Sequence, residues 1–458
     1  MEDLGFDLVI LGTGLAGLRT ALEAAVESEG KMRIALISKL HAMRSHSVAA
    51  EGGISGVLYG SENKDSKNLH AYDTIKGSDY LADQDAVEML VENAPHEILL
   101  MDHLGVPWNK DRRNRINQRA FGGMSIPRTA FAQDKTGFFL MSALYNTVTQ
   151  FENVTVFHEH IATKMVMDGG SFRGMCAIDL SDRSFKFIRG GAGVIATGGF
   201  GRTYKTTTTS HSSTGDGTAL AYREGIPLKD MEFVQFHPTA LIPSGILITE
   251  AARGEGGYLT NNKGERFMKD YAPSKMELAP RDIVSRAIVT EFGKGNGFVD
   301  KLSGMSYVAL DIRHLGPEKI NTKLPMIREM SMKALGIDPI EQVMPVAPAT
   351  HFTMGGIHTN ISGKVMLDEK NQTDNLWAAG ECGCVSVHGA NRLGSNSLSQ
   401  CLVWGRMVGS EIAKLRPKAA DAPSSRKAAL KEESRINELL DRKGSENPYE
   451  IRDELQEE

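Results

Sequence analysis

The chain has 458 residues, enough for two or three domains with substantial cores at roughly 100–200 residues each. Its 41% hydrophobic and 24% charged residues are ordinary for a globular protein. The net charge of -5, with both signs interspersed, excludes a general attraction for nucleic acid or an anionic membrane, so no nucleic-acid partner is expected.

Residues 6–11, apolar except for Asp7 and followed by Gly12, have the pattern of a buried parallel strand. Residues 15–25 read as a helix and 33–37 as a second buried strand, which together make a βαβ unit. The first seven residues are acidic rather than basic and the apolar run behind them is short, which argues against a signal peptide. No uncharged apolar stretch reaches the roughly 18 residues of a membrane span, so any membrane association is expected to come through a partner.

Residues 40–135 are rich in Gly, His, Arg and Asp, with one amphipathic helix predicted at 85–100. A further helix is predicted at 136–149. Residues 154–166, 172–179 and 186–189 alternate like strands of a small antiparallel sheet, and 193–196 return to a buried parallel strand before Thr197-Gly198-Gly199. Residues 237–345 are broken by Gly and Pro and carry more charge, as expected of an inserted domain. A buried strand is predicted at 376–379, before Gly380-Glu381, and a helix at 398–413.

After Arg416-Pro417 the chain is highly charged. Ile436, Leu439 and Leu440 have helical spacing, and Asn447-Pro448 opens a last helix carrying Ile451 and Leu455. Such narrow apolar stripes need a surface to pack on, either the main body or the rest of a helical domain.

The four cysteines, Cys176, Cys382, Cys384 and Cys401, are too few and too scattered for a disulfide framework or an iron–sulfur cluster. The close pair Cys382 and Cys384 reads as two small residues packed in an interior loop.

Gly12-Thr13-Gly14-Leu15-Ala16-Gly17 is a G-x-G-x-x-G fingerprint between a strand and a helix. Gly12 permits the tight turn, Gly14 lets a pyrophosphate approach the backbone, and Gly17 lets the helix lie close to the strand. The helix start then turns free N–H groups toward the phosphates. The second strand ends in Ser38-Lys39 rather than in an acidic residue. That weakens an NAD reading and leaves FAD.

Several long motifs follow in order: Met43-Arg44-Ser45-His46-Ser47 with Glu51-Gly52-Gly53, Phe121-Gly122-Gly123, Thr214-Gly215-Asp216-Gly217, and His237-Pro238-Thr239. They continue through Thr249-Glu250, Arg253-Gly254-Glu255-Gly256, Arg281-Asp282, His351 with Met354-Gly355-Gly356, and Gly389-Ala390-Asn391-Arg392 running on to Ser397-Leu398. In these motifs, from about residue 5 to about residue 415, the chain resembles the flavoprotein subunits of succinate dehydrogenase and fumarate reductase.

The resemblance implies an α/β fold. A doubly wound, Rossmann-like FAD-binding domain is expected in two segments, 1–236 and 346–414, with an inserted α+β capping domain at 237–345 and a partial helical region at 415–458. It implies FAD joined covalently through His46. Further cofactor contacts would come from Gly12, Gly14, Ala16, Gly17, Ser38, Lys39, Ser45, Glu51, Gly52 and Gly53. Thr197, Gly198, Asp216, Glu381, Ser397 and Leu398 complete that expected set.

The substrate pair implied is succinate and fumarate. The carboxylates would be held by His237, Thr249, His351 and Arg392, with Phe121 packed over the substrate. Arg281 would shuttle the proton, relayed by Glu250 and Arg253. Glu51, where many dehydrogenases carry Gln, leans the reading toward fumarate reductase, as do the contexts of Met124 and Ser397. The implied partners are an iron–sulfur subunit and a membrane quinone-reactive subunit, which would place the chain on the inner, cytoplasmic face of the membrane.

Two alternatives stay open. Thr249-Glu250-Ala251-Ala252 also resembles L-aspartate oxidase, a relative without the attachment histidine, so His46 discriminates between them. Members of the family also continue well beyond residue 458, which keeps a flavin-binding fragment or assembly subunit as the other reading.

Overall fold

The structure, a computed structural model, describes residues 1–457. The chain starts with β1 (Glu2–Leu11), α1 (Leu15–Glu27) and β2 (Ile34–Ile37). Leu8, Val9 and Ile10 of β1 and all of β2 are buried on both faces, which explains why β2 and the second half of β1, from Leu8 to Leu11, are apolar runs. Next come α2 (Lys67–Gly77), α3 (Gln84–His103) and α4 (Thr136–Val148). No apolar stripe marks α2 in the sequence, because its inner face is polar: His70, Asp73 and Thr74 are buried and hydrogen-bonded.

The strands β3 (Val154–Phe157), β4 (His160–Asp168), β5 (Ser171–Asp179) and β6 (Phe185–Ile195) follow. β4, β5 and β6 pair antiparallel, as expected from their alternation, but they continue the main sheet instead of forming a small sheet of their own. β3 joins the main sheet beside β2, in parallel. β6 is a single strand of 11 residues that pairs antiparallel with β5 and parallel with β1. The alternating segment expected at 186–189 and the buried one expected at 193–196 are its two halves, and the alternation of the first half hid its parallel edge.

The chain continues through α5 (Asp216–Arg223), β7 (Val234–Leu241), β8 (Tyr258–Thr260), α6 (Arg281–Gly293), β9 (Ser306–Asp311), α7 (Pro325–Leu335) and β10 (Met344–Thr353). A second sheet of order β7-β10-β9-β8, with Phe298–Val299 paired on β9, is antiparallel throughout. It shares a core with α6 and α7 through Leu241, Val284, Ile288, Leu310, Ile327 and Val346.

β11 (Lys364–Met366) and β12 (Gln372–Ala378) complete the first sheet, whose order is β11-β12-β6-β1-β2-β3 with β5 and β4 branching from β6. Then α8 (Asn396–Leu415) lies on α1. Gly405 and Gly409, four residues apart, bring it directly onto Ala16, Arg19 and Thr20. Glu97 of α3, fully buried, accepts from Arg19 Nε at 2.7 Å and forms an ion pair with Arg406, whose Nε is 3.1 Å away, and so ties α1, α3 and α8 together.

The tail forms α9 (Pro423–Asp441) and α10 (Pro448–Glu457). Ala429 and Ile436 of α9 pack on Cys176, Phe185 and Phe187 of the main sheet, while Leu439, Leu440, Ile451 and Leu455 are exposed. Cys382 and Cys384 are buried free thiols, as expected. Among the described residues, no helix is long and apolar enough to cross a membrane.

Candidate active site

A cavity of about 330 Å³ runs from the C-terminal ends of β1 and β2 to the second sheet. At the β1–α1 turn, Gly12 has φ of +113°, and a side chain there would strike the Ala196 carbonyl. Gly17 does not line the cavity; a methyl group there would overlap the Gly12 carbonyl, so its part is to let α1 lie against the turn. α1 starts at Gly14 with no side-chain cap, and its Leu15 N–H reaches Ser47 Oγ at 3.2 Å. α8 likewise starts at Ser395 without a side-chain cap, and Ser397 and Leu398 of its first turn line the cavity. Two uncapped helix starts therefore meet at one cavity, a setting that favours anionic groups and carbonyl oxygens.

Gly14, Ala16, Ser38 and Lys39 line the same end. Thr13 Oγ1 donates to Ser38 Oγ at 2.7 Å, and Lys39 Nζ pairs with Asp216 Oδ2 at 2.6 Å across the rim. Further along lie Ser45, His46, Glu51, Gly52, Gly53, Thr197, Gly198 and Glu381. The hydroxyls of Thr197 and Ser395 are buried without a protein partner, as expected of atoms that bond a guest.

His46 Nδ1 accepts from the Ser210 N–H at 3.3 Å. Burial, and then the charge of Arg392, pull its pKa down to about 4, so the imidazole is neutral with a nitrogen available for chemistry. Glu51 is pushed up to about 8 by burial and by Asp134, against the opposing charge of Arg119. Glu381 is also held above the ordinary carboxylate range, chiefly by burial.

The far end is built from side chains. β7 alternates so that Gln235 and His237 are buried on one face while Phe236 between them is 42% exposed. Its register shifts after His237, where Pro238 has no N–H to give the ladder. β10 brings His351 alongside, with the two imidazole rings 5.0 Å apart. Both histidines are held far below their usual pKa by burial first and by Arg281 next, so both are neutral.

Arg281, at the start of α6, lines the cavity and donates through Nε to Glu250 Oε2 at 3.1 Å and through Nη1 to Gln235 Oε1 at 3.0 Å. Its carboxylate partner is Glu250 and not its neighbour Asp282, which pairs with Arg286 at 2.5 Å. Burial alone would raise Glu250, but Arg281, Arg253 and the Gly122 N–H outweigh it and hold the carboxyl below its ordinary range. Arg253 lies 3.8 Å from Glu250 and is anchored to the Glu277 carbonyl. Neither Glu250 nor Arg253 lines the cavity; both stand behind Arg281.

Arg392 rests its guanidinium 4.3 Å above the Phe352 ring, and burial, then Arg281, lower its pKa to about 9. Thr249 and Phe121 complete this end, with Phe121 fitted between Gly52 and Gly394. Two arginines beside two neutral histidines leave positive charge facing the cavity, which suits a small dianion.

The expected residues thus gather at one cavity, with Gly17, Glu250 and Arg253 just outside its wall. Sequence reasoning missed Gln235, Arg119 and Thr208. Gln235 Nε2 donates to Asn391 Oδ1 and to the Arg392 carbonyl, both at 2.7 Å, and so joins the two arginine segments. Its place two residues before His237 on a strand was a usable signal. Arg119 holds the Glu51 and Gly52 carbonyls through Nη2 at 3.0 and 2.6 Å, and no pattern in the sequence marked it. Thr208, which contacts His351, was hidden in a run of four threonines.

The family described as FAD binding domain matches residues 7–398. Together with the two uncapped helix starts and the orphaned hydroxyls, this makes the chain an FAD-dependent oxidoreductase. A fumarate reductase flavoprotein subunit from a Serratia species is 41% identical over 99% of this chain and 76% of its own length. A succinate dehydrogenase flavoprotein subunit from Rickettsia bellii is 44% identical over 98% of this chain and 76% of its own length. A chain from a structure of Escherichia coli quinol fumarate reductase superposes with a TM-score of 0.94 at 41% identity, covering 100% of this chain and 78% of that one. The chain belongs to the flavoprotein subunits of fumarate reductase and succinate dehydrogenase.

Proposed function

We propose that the chain interconverts succinate and fumarate, with FAD anchored covalently by His46 and Arg281 carrying the proton. Bound FAD supplies the two-electron exchange with the substrate carbons. The chain's own residues do the rest. His237, Thr249, His351 and Arg392 hold the two carboxylates, and Phe121 packs over the carbon chain between them.

Arg281 gives or takes the proton at the other substrate carbon, and Glu250 and Arg253 pass that proton toward solvent. The observation that carries this reading is the setting of Arg281. It lines the cavity beside both histidines and Arg392, and its Nε is already hydrogen-bonded to the buried Glu250 carboxylate. A free guanidinium, with a pKa above about 12, is a poor proton donor. The Glu250 carboxylate, 3.1 Å away, stabilises the charged guanidinium, and once Arg281 has given its proton to the substrate the carboxylate takes a proton from the solvent side and passes it to the bare Arg281 Nε. Residues 237–345, which carry most of the second sheet outside β10, act as a cap that excludes water from this exchange.

Electrons leave or enter through an iron–sulfur partner, and behind it a membrane quinone-reactive subunit keeps the chain at the inner face of the membrane. Relatives named for either direction are equally similar, at 41–44% identity, so the reading is interconversion and not one direction.

The test uses reduced-dye fumarate reduction and in-gel flavin fluorescence. The wild-type band is expected to fluoresce and the protein to turn over. Arg281→Lys should keep its flavin and lose kcat by on the order of 10²–10⁴-fold. Near-normal turnover in that variant removes Arg281 from the proton path, and a dark wild-type band removes the His46 bond.

A further inference from the structure

The two histidines at the substrate end are neutral, so each has one N–H and one bare nitrogen. Only the N–H attracts a carboxylate; the bare nitrogen repels it. What faces the substrate therefore depends on which ring nitrogen carries the proton, and that is set by the partner on the other side of the ring.

For His237 the main chain decides. Its Nδ1 faces the Thr239 N–H at 3.2 Å, and the Thr239 hydroxyl is already donated to the Ile248 carbonyl at 2.8 Å. An amide N–H can only donate, so Nδ1 is bare and the proton sits on Nε2. His351 has no such amide. Its Nδ1 meets the hydroxyl of Thr208 at 2.7 Å, and a hydroxyl can donate or accept.

The surroundings of Thr208 remove that ambiguity. Among the described residues, its only other acceptor in reach is the Thr350 carbonyl at 3.4 Å. That carbonyl already takes the Thr208 N–H at 2.9 Å and has the Thr207 hydroxyl, itself 2.9 Å from Thr209 Oγ1, at 3.0 Å, while 3.4 Å is longer than an ordinary O–H···O bond. The Thr208 hydrogen is left for His351 Nδ1, the shorter contact. The same bonds, with the Thr350 N–H returning to the Thr206 carbonyl at 3.0 Å, fasten the threonine run to β10. The hydroxyl is therefore held in place beside the ring.

We infer that Thr208 is a positioning residue that locks His351 in the Nε2–H tautomer, so that both histidines present an N–H to a dicarboxylate. The inference rests on the proposed substrate reading. It adds that one of the two N–H donors is set by a side chain, and so can be changed by substitution, whereas its twin is set by the backbone.

The test compares Thr208→Val, Thr208→Ala and Thr208→Ser as FAD-loaded protein, with malonate as a dicarboxylate probe. Thr208→Val and Thr208→Ala should weaken malonate binding and raise KM by about 10–100-fold, with a smaller change in kcat, as for loss of a charge-assisted hydrogen bond. Thr208→Ser, which keeps the hydroxyl, should restore both. In protein carrying nitrogen-15 histidine, His351 should show the Nε2–H pattern in wild type and in Thr208→Ser, and an Nδ1–H population in the other two variants.

An unchanged His351 pattern in Thr208→Val and Thr208→Ala overturns the lock. So does equal loss of malonate binding in all three variants, which would make the effect one of shape. Failure of the wild type to turn over fumarate or succinate would sink the substrate reading instead, and the nitrogen pattern would still decide the tautomer.

Discussion

At one end of the cavity the chain offers backbone: the Gly12 turn, the uncapped start of α1 at Gly14, and carbonyls held by Arg119. At the other end it offers side chains, with His237 and His351 on two strands, Arg281 on a helix and Arg392 on a loop. The turn at the heart of the first end comes from a few consecutive residues, Gly12 to Gly17. The second comes from segments up to 155 positions apart, counting from His237 to Arg392, joined by Gln235. A backbone site tolerates almost any side chain that avoids its glycines but fails when a glycine is replaced. A side-chain site tolerates backbone detail but depends on every supporting hydrogen bond.

The largest effect should come from breaking the backbone end. Gly12→Val puts a β-branched residue at φ of +113° and into the Ala196 carbonyl. The cost of about 3 kcal/mol or more corresponds to on the order of 100-fold in cofactor affinity. The measurement is FAD content after purification and titration with added FAD; full flavin loading would show that the turn is not the cofactor cradle.

Glu51 lies between the two ends, and its effect depends on pH. Its carboxyl has a reference value of 4.5 and a folded-state value of about 8. Its contribution to stability is therefore full below pH 4.5, declines as pH rises toward 8 and is lost beyond it, because the unfolded chain gives up the proton first. Glu51→Gln should flatten this slope. The variant should match wild type near pH 4.5 and exceed its stability above pH 8 by about 2–4 kcal/mol. Melting temperatures of flavin-loaded protein across that range check it, and parallel curves for the two proteins would show that Glu51 is not held neutral.

The smallest effect belongs to the rim of the backbone end. The Lys39 and Asp216 side chains are 27% and 36% exposed, so their ion pair is screened by solvent. Lys39→Met should change FAD affinity by about 1 kcal/mol or less, and less again at high salt. A tenfold or larger loss would mean that this rim acts through side-chain charge after all, and would blur the contrast between the two ends.

The sequence by itself determined the βαβ start and its glycines, because each constraint there acts within a few residues and leaves a local mark. The same holds for α3, α4 and α8, whose one-sided apolar spacing reports their packing directly. It did not reveal α2, whose buried face is polar, or the double role of β6, whose pairing partners are far apart in the chain. Motif resemblance named His237, Arg281, His351 and Arg392, but no spacing along the chain says that they meet.

Only the tertiary structure decided that Arg281 pairs with Glu250 and not with Asp282, that Gln235 ties Arg281 to the Arg392 segment, and that Thr208 faces His351. The physical reason is common to all three. A side-chain hydrogen bond between distant segments costs nothing in local propensity and leaves no periodicity, so it is fixed only when the sheets bring those segments together.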